Sequence, residues 1–414
     1  MSWRPLAGVL SAQAVAWTGT RLSAIALPWF VLTTTGSATQ TGVIVFAEMA
    51  PYVVAQLLSG PLIDRVGPSR ISVAGDLVSM VAVALIPALF ALGLLHFGLL
   101  IPLVAVVGTF RGPADAAKTV FLPDATRAAR VPLERGTGIA ATIERLASTV
   151  GPAVAGVVVA AVGGPYALVV TAVLFGSGAL IVAFAAPRQR PPAPAEAEAE
   201  DGYFRRLRAG MAFLRQDRLL RSMAGMIAVT NLLDAAWTSV LLPVWARDSG
   251  HGPATIGLLL GVLSGCAALS ALVAAGIAHR LPRRPVYLIG FLLDGFPRFL
   301  PLALGAPLEV TILVYAVCGF GSGFINPIVG AIQFERAPQA MYGRIRTLLV
   351  AVAWSGIPFG GLAGGLLVAR LGLSPALLAC GAVYLLVTTI PAVLPGMRDE
   401  WSRKSKQDKE VTSP

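Results

Sequence analysis

Long, uninterrupted apolar runs are the feature that most constrains how this chain can fold. They are about 20 residues or longer, and their apolar residues do not alternate with polar ones. Charged residues make up only 13% of the 414-residue chain, too few to cover a water-soluble globule. In lipid, backbone N–H and C=O groups must bond within the chain, which restricts spanning structures to helices and closed barrels. Because the runs do not alternate, we expect an all-α membrane protein.

Twelve such runs are separated by turn signals, and each predicts one transmembrane helix, numbered here as spans 1 to 12. The predicted spans are 6–33, 39–62, 70–93, 97–124, 135–162, 164–186, 219–246, 253–279, 285–304, 308–335, 342–369 and 373–396.

One long polar insertion, residues 187–218, divides the chain into two parts. It begins with a Pro/Ala/Glu tract, and its second part places Phe204, Leu207 and Met211 at helical spacing between arginines. We expect a flexible cytoplasmic linker with an amphipathic helix on the membrane surface, although a solvated linker helix has the same pattern. Residues 1–186 and 219–397 resemble each other at an offset of roughly 210 residues. The sequence therefore predicts two pseudo-symmetric six-helix bundles, followed by a cytoplasmic tail at 398–414.

Basic residues are distributed unevenly between the two ends of the spans. Of the 32 Lys and Arg, only Arg247 and Arg370 lie in the loops opposite the chain termini. This asymmetry predicts a multi-pass protein of the inner (plasma) membrane with both termini in the cytoplasm. It also explains the net charge of +11 without nucleic acid as a partner.

A short loop after span 2 combines glycines with opposite charges. Its pattern is Gly60-x-x-x-Asp64-Arg65-x-Gly67, followed by Arg70. A carboxylate at the end of one helix can cap the positive N-terminus of another, while arginines bind it to a third. Such a latch would hold the cytoplasmic side closed until the ions separate. Positive-inside charges with a turn glycine are the alternative explanation.

Small residues form a stripe on span 5 around a proline. The pattern is Ala147-x-x-x-Gly151-Pro152-x-x-Ala155-Gly156. Such a helix packs closely against a partner and can bend at the proline. Generic packing of small residues would produce the same stripe.

With these motifs the chain resembles the major facilitator superfamily over essentially its whole length. The loop after span 2 is similar to that family's hallmark loop, except that Pro68 and Ser69 stand where two basic residues are usual. The span 5 stripe resembles the antiporter motif of its exporters. The segments Ala26–Ala38 and Glu48–Tyr52 are similar to the macrolide-efflux branch of drug:proton antiporters, which also includes siderophore exporters. The resemblance implies that spans 1, 4, 7 and 10 line a substrate cavity.

Ionisable side chains within the spans are costly, so each is a functional candidate. On span 4, Arg111, Asp115 and Lys118 share a face that carries excess positive charge. Glu144 of span 5 lies at a depth similar to that of Asp115. We therefore predict a buried charge cluster of Arg111, Asp115, Glu144 and Arg145, with Glu144 as the acidic partner.

A carboxylate that carries protons must become neutral near physiological pH, which requires desolvation without a permanent cation beside it. Glu48 in span 2 and Asp234 in span 7 have no charged residue within one turn, so we predict that both carry protons. A hydrogen-bonded structural carboxylate is the alternative for each. Asp294 and Arg298 are spaced i, i+4 on span 9 and indicate a structural ion pair.

Aromatic and weakly polar residues on the spans implied to line the cavity form the candidate substrate site. Such a site suits a bulky apolar or cationic ligand, although aromatic residues also pack between helices. The candidates are Arg21, Phe110, Asn231, Trp237, Phe324 and Asn326.

Together these features predict a secondary active exporter of a hydrophobic or amphipathic small molecule, an antibiotic or secondary metabolite, driven by proton antiport. The sequence has no Gly-rich nucleotide-binding loop, and its three histidines are far apart, so we expect no enzyme, cofactor or metal. Siderophore export, nutrient uptake by symport, and a transporter-like sensor or scaffold are the alternatives. The expected partners are the small-molecule substrate, protons and membrane lipids, and we expect a monomer.

Overall fold

Helices make up all the regular secondary structure in the part of the chain that the structure describes. The computed structural model describes residues 3–185, 215–277, 280–336 and 342–393. Within these ranges, eleven helices are long and apolar enough to cross a bilayer, and the bent pair Ala38–Leu57 and Ser59–Val66 makes a twelfth. The prediction of an all-α protein with twelve spans is confirmed.

Half of the spans are single helices and half are interrupted. The continuous ones are span 1 (Arg4–Thr35), span 3 (Pro68–Ala91), span 5 (Leu133–Val162), span 6 (Gly164–Ala185), span 8 (Pro253–Ile277) and span 12 (Leu373–Val393). The interrupted ones are span 2 (Ala38–Leu57 and Ser59–Val66), span 4 (Phe97–Val120 and Leu122–Ala129), span 7 (Arg218–Ala236, a π-helical turn Trp237–Leu241, and Leu242–Asp248), span 9 (Arg283–Asp294, a 3-10 turn Phe296–Arg298, and Leu300–Ala303), span 10 (Leu308–Ser322 and Ile325–Arg336) and span 11 (Tyr342–Ser355 and Ile357–Leu371).

Each interruption lies just before a proline. Span 2 bends by 62° at Leu58, because the ring nitrogen of Pro61 has no N–H to donate to the carbonyl of Leu57. Span 4 is interrupted at Phe121 in the same way, before Pro123. The remaining interruptions precede Pro243, Pro297, Pro327 and Pro358. All six interrupted spans were predicted as single runs, since a hydrophobic run does not reveal where its backbone bonds stop.

The spans cluster into two compact units. Among the described residues, the first contains 3–185, 235–261 and 357–373, and the second contains 215–234, 262–277, 280–336, 342–356 and 374–393. The end of span 7, the start of span 8 and the second helix of span 11 therefore belong with spans 1 to 6. The predicted linker, apart from its last residues, and the predicted tail lie outside the described residues. The division into halves at 1–186 and 219–397 stays a prediction.

Small residues allow the helices of the first unit to pack backbone to backbone. Span 1 packs against spans 5 and 6, span 2 against spans 4 and 11, and span 3 against spans 4 and 6. Gly108 and Gly112 of span 4 lie directly on span 2, where a Cβ atom would overlap the carbonyl oxygens of Glu48 and Tyr52. Close approach of this kind is how helices associate where no hydrophobic effect separates protein from lipid.

In the second unit, glycines lie against the backbone of a neighbouring helix or against large aromatic rings. Gly290 of span 9 lies against Gly321 of span 10, and Gly381 of span 12 lies against the ring of Phe296. The rings of Tyr287 and Phe291 are 4.7 Å apart on span 9. This packing fixes span 9 between spans 10 and 12.

Replacing Gly108 with alanine is expected to destabilise the protein, because the added methyl group overlaps the carbonyl of Glu48. Overpacking of this kind costs about 1–3 kcal/mol. Gly138 is the matched control, since it also lies inside a helix but has nothing within 4 Å of an added Cβ. Gly138→Ala should leave stability unchanged or raise it by up to about 1 kcal/mol. The thermal unfolding midpoint in detergent measures both, and equal midpoints would contradict the close approach of spans 2 and 4.

Candidate functional site

Span 4 carries a buried group of charges, here called the first charge cluster: Asp76, Arg111, Asp115 and Lys118. Arg111 Nη1 lies 3.3 Å and Lys118 Nζ lies 2.8 Å from the same oxygen, Asp76 Oδ1. Arg111 Nη2 lies 3.0 Å from Asp115 Oδ1. Asp76, Arg111 and Lys118 are each at most 3% exposed. Two cations face two carboxylates, so the cluster is neutral, as a buried group of charges must nearly be.

Uncharged groups complete the surroundings of Arg111. Its Nη2 donates to the carbonyl of Ala16 and to the hydroxyl of Thr20, both at 2.8 Å and both on span 1. Its guanidinium carbon lies 4.0 Å from the ring centre of Phe175 on span 6, a cation–π contact. Arg111 therefore ties spans 1, 3, 4 and 6 together.

Besides Asp115 on span 4 itself, the acidic partner of Arg111 and Lys118 is Asp76 of span 3, and the prediction of Glu144 as the partner from another span is wrong. Glu144 and Arg145 are exposed, and neither forms an ion pair with another described residue. Equal depth did not identify the partner, because spans 2 and 3 are the helices that pack along the first helix of span 4. A sequence signal for Asp76 did exist: small and polar residues flank it at helical spacing on one face of span 3. They are Ser72, Gly75 and Ser79.

Glu48 lies beside the first charge cluster but outside it. Tyr52, one turn further along span 2, donates from its hydroxyl to Asp115 Oδ2 at 3.4 Å. Glu48 itself is partly buried, and its carboxylate forms no hydrogen bond or ion pair with another described residue. The guanidinium of Arg111 acts on it electrostatically without forming an ion pair, unlike the pairs that each carboxylate of the cluster forms.

Arg21 connects span 1 to the small-residue stripe of span 5. Its Nη2 donates to the hydroxyl of Ser148 at 2.8 Å. A Cβ atom on Gly151 would lie 3.1 Å from Arg21 Cβ and Cγ. Gly151 thus leaves room for the stem of Arg21, while the rest of that side chain is exposed.

Span 9 contributes to a second buried group, here called the second charge cluster: Asp234, Asp294, Arg298 and Tyr384. The side chain of Arg298, 4% exposed, forms an ion pair and hydrogen bond through Nη2 with Asp234 of span 7. Its Nη1 lies 4.0 Å from Asp294. Its guanidinium carbon lies 4.7 Å from the ring centre of Tyr384 on span 12 and 5.2 Å from that of Phe299.

Asp234 is therefore not isolated from cations, as its neighbours on span 7 had suggested. Arg298 reaches it from span 9, and sequence spacing along one helix cannot reveal a partner on another. The predicted pair of Asp294 and Arg298 is present at 4.0 Å, but the shorter contact of Arg298 is with Asp234. The reason is local: the helix ends at Asp294, and the 3-10 turn Phe296–Arg298 redirects the arginine.

The loop after span 2 is exposed. Asp64, Arg65 and Arg70 lie at the surface, and none forms an ion pair with another described residue. Gly67 joins the bent end of span 2 to span 3 with a φ of 93°, which favours glycine. Gly60 has open space around its Cα. The latch stays a prediction.

Ion pairs join the corresponding ends of spans 7, 9 and 10. Arg283 at the start of span 9 binds Glu335 through two contacts of 2.7 and 2.5 Å. Arg336, the next residue, binds both carboxylate oxygens of Asp217 at 3.0 Å. These pairs lie at the span ends predicted to be cytoplasmic.

Within the first unit, a glycine of span 2 lies against span 11, and a glycine of span 5 lies against span 8. A Cβ atom on Gly42 would overlap the carbonyl of Gly361, and one on Gly156 would lie 2.7 Å from the Cα of Gly257. Span 5 remains helical through Pro152, whose carbonyl oxygen lies against Gly257. Both contacts lie toward the span ends opposite the termini.

The six predicted cavity residues are divided between the units, and their role stays a prediction. Phe110 is 42% exposed, whereas Trp237 is only 2% exposed. Asn231 Nδ2 donates to the carbonyl of Ala353 on span 11 at 2.7 Å, so it joins two helices. Arg21, Phe110 and Trp237 belong to the first unit, and Asn231, Phe324 and Asn326 to the second.

The chemistry available to these groups is the exchange of protons and of ionic partners. Within the described ranges, no group of three or more His, Cys, Asp or Glu is placed to hold a metal ion. A carboxylate in an apolar medium can be neutralised either by a proton or by a cation. Moving a guanidinium therefore changes which carboxylate needs the proton.

The family model described as Major Facilitator Superfamily matches residues 9–232 and, in a second match, residues 224–414. The Multidrug efflux pump Tap of Mycobacterium tuberculosis is 32% identical over 399 residues, which cover 94% of this chain and 93% of that protein. The Multidrug efflux pump Tap of Mycolicibacterium fortuitum is 29% identical, covering 95% of this chain and 97% of that protein.

Solved structures of transporters share the fold. The nucleoside transporter NupG has a TM-score of 0.74 at 12% identity, covering 94% of this chain and 98% of its own. A mutant of the peptide transporter POT has a TM-score of 0.73 at 14% identity, covering 96% of this chain and 95% of its own. At these identities the likeness shows the fold alone.

Asp76→Asn is expected to lower stability strongly, because Arg111 and Lys118 lose the carboxylate oxygen that they share. Breaking a buried ion pair costs about 3–5 kcal/mol. Adding Lys118→Met should recover part of the loss, since it restores the balance of charge. The matched control is Glu144→Gln at the exposed carboxylate, expected to stay within about 0.5 kcal/mol. Thermal unfolding of the purified variants measures the difference, and equal midpoints for Asp76→Asn and Glu144→Gln would refute the cluster's role.

Proposed function

Because the chain belongs to the Major Facilitator Superfamily, we propose that it exports hydrophobic or amphipathic small molecules in exchange for protons. It is a multi-pass membrane transporter and not an enzyme. The observation that carries the proposal is the similarity, along nearly the whole chain, to relatives named multidrug efflux pumps. Antibiotics and secondary metabolites are the proposed class of substrate.

We place the transporter in the plasma membrane with both termini in the cytoplasm. The distribution of basic residues supports this orientation, because Arg65 and Arg127 lie in the short second helices of spans 2 and 4 and Arg130 follows the latter, all on the side of the termini. On the opposite side, Arg247 and Arg370 lie at the ends of spans 7 and 11.

Alternating access is supported by the contacts toward the outer span ends. In export, the substrate pathway must close on one side before it opens on the other. The glycine contacts of span 2 with span 11 and of span 5 with span 8 bring smooth helix faces together, so they can separate without disentangling long side chains. On the same side, Arg247 Nη1 donates to the carbonyl of Gly36 at the end of span 1, at 3.1 Å.

We assign proton exchange to Glu48 and Asp234. Glu48 is supported by its position beside a cluster whose cations form their ion pairs with other carboxylates, Asp76 and Asp115. Asp234 is supported by its exposure: its side chain is 37% exposed, while that of its partner Arg298 is 4% exposed. A proton that arrives at Asp234 would replace Arg298 as the neutralising partner. Neutralising the carboxylate lowers the cost of moving it through an apolar constriction.

Neutral amides at the two carboxylates are expected to abolish proton-driven export. In cells that express the protein, Glu48→Gln or Asp234→Asn should slow efflux of a fluorescent cationic dye by about tenfold or more. A protonophore should do the same to the unmodified protein. Glu309→Gln is the control, since Glu309 is an exposed carboxylate at the start of span 10. Efflux from both variants at the rate of the control would eliminate these two residues as proton carriers.

Removing the carboxylate of the predicted latch is expected to slow transport without affecting folding. Asp64 is exposed and forms no ion pair with another described residue, so Asp64→Asn should change stability by less than about 0.5 kcal/mol. Its contacts would form only when the cytoplasmic side closes, so the efflux rate should fall. Glu134→Gln, at an exposed carboxylate at the start of span 5, is the control. Normal efflux by Asp64→Asn would exclude the latch.

A further inference from the structure

The second charge cluster differs from the first in its balance of charge. The first cluster pairs two cations with two carboxylates. Among the four members of the second, Asp234 and Asp294 both form an ion pair with the guanidinium of Arg298. One guanidinium serving two carboxylates can pair with either of them, and the protonation state of each carboxylate decides which pairing is favoured.

The two carboxylates contact different ends of the guanidinium. Nη2 of Arg298 binds Asp234, while Nη1 lies 4.0 Å from Asp294 Oδ1. A shift of about 1 Å would shorten the second contact to the length of a normal hydrogen bond. Arg298 lies in a 3-10 turn bounded by Gly295 and Phe299, outside the regular helix, where its long side chain has several rotamers.

Two aromatic rings lie beside the guanidinium of Arg298. The rings of Tyr384 and Phe299 lie 4.7 and 5.2 Å from its central carbon. A cation slides along such a face at little cost, because the attraction to the ring changes gradually. The other titratable groups near it are the hydroxyl of Tyr384 on span 12 and the thiol of Cys318 on span 10.

The two carboxylates differ in their exposure. The side chain of Asp234 is 37% exposed and that of Asp294 is 11% exposed. Asp234 is therefore the more accessible of the two to a proton donor. The deeper carboxylate is better suited to holding a cation than to exchanging a proton.

We propose that Arg298 passes from Asp234 to Asp294 when Asp234 takes up a proton, and that Asp294 is the positioning residue that makes this exchange possible. The proton binds a carboxylate oxygen of Asp234, the ion pair of Arg298 with Asp234 breaks, and one with Asp294 forms. Arg298 keeps its protons throughout. When Asp234 releases its proton, the guanidinium returns. The sharing of Arg298 stands by itself, and only its coupling to transport rests on the proposed function.

Thermal unfolding of single and double variants tests the sharing without measuring transport. In Asp234→Asn the guanidinium keeps Asp294, and in Asp294→Asn it keeps Asp234, so each single variant should lose only a few degrees. The double variant removes both carboxylates that contact Arg298, so its midpoint should fall by more than twice the sum of the single losses. Adding Arg298→Gln to the double variant should restore most of the loss. If Asp234→Asn alone falls as far as the double variant, Arg298 has one partner and the proposal is overturned.

The pH dependence of efflux tests the positioning role. In Asp294→Asn the guanidinium cannot leave Asp234, so a proton must compete with it at every turnover. The midpoint of the pH profile of proton-driven efflux should then move to lower pH by about one unit, a tenfold weaker binding of the proton. Asp294→Glu, which restores a carboxylate, should return the midpoint. A merely structural role would lower the amount of active protein without moving the midpoint.

The two assays separate this proposal from the proposed function. Fully proton-coupled efflux by Asp234→Asn would overturn the proton role of Asp234, while the unfolding series would still decide whether Arg298 is shared. An unchanged pH midpoint in Asp294→Asn, in a protein whose Asp234→Asn variant has lost coupling, would overturn the positioning role of Asp294.

Discussion

An unpaired charge in an apolar medium is costly, and this cost organises the interior of the protein. Arg111 and Lys118 are almost completely buried, and they are tolerated because Asp76 and Asp115 lie within ion-pair distance. Their remaining bonds go to span 1 and, through the hydroxyl of Tyr52, to span 2. A single polar network thus holds spans 1 to 4 and contacts span 6. Moving one of these helices alone would expose a charge to hydrocarbon, so they are constrained to move together.

The cost of an unpaired charge has a different consequence where cations and carboxylates are unequal in number. In the second charge cluster, two carboxylates compete for Arg298, so a proton or a small movement can change its partner. Glu48 represents a third arrangement, a carboxylate near a cluster whose cations form their ion pairs with other carboxylates. The same residue types thus build the fixed ion pairs of the first cluster and the proposed exchange of partners in the second. The ratio of cations to carboxylates distinguishes the two clusters.

The sequence predicted the spans well because a hydrophobic run of about 20 residues has few other uses. It predicted much less of the charge clusters. Depth along a helix is set by residue number, which is why Glu144 was a plausible partner for Arg111. Neighbours are set by which helices pack together, and that depends on small residues such as Gly75 and Gly108 far apart in the chain. The partnership of Asp234 with Arg298 was beyond reach for this reason and because the turn before Arg298 redirects its side chain.

Proline positions carry information that hydrophobic runs do not. Within the spans the chain passes from one compact unit to the other at three places: between Asp234 and Ala235 of span 7, between Gly261 and Val262 of span 8, and between Gly356 and Ile357 of span 11. The passage in span 8 lies inside a continuous helix, whereas that in span 7 lies just before the π-helical turn and that in span 11 coincides with an interruption. The latter two precede prolines, Pro243 and Pro358, whose missing N–H groups leave the local helix with fewer bonds to break. Bending at these two places therefore costs less than bending a continuous helix such as span 8, and the first of them lies next to Asp234.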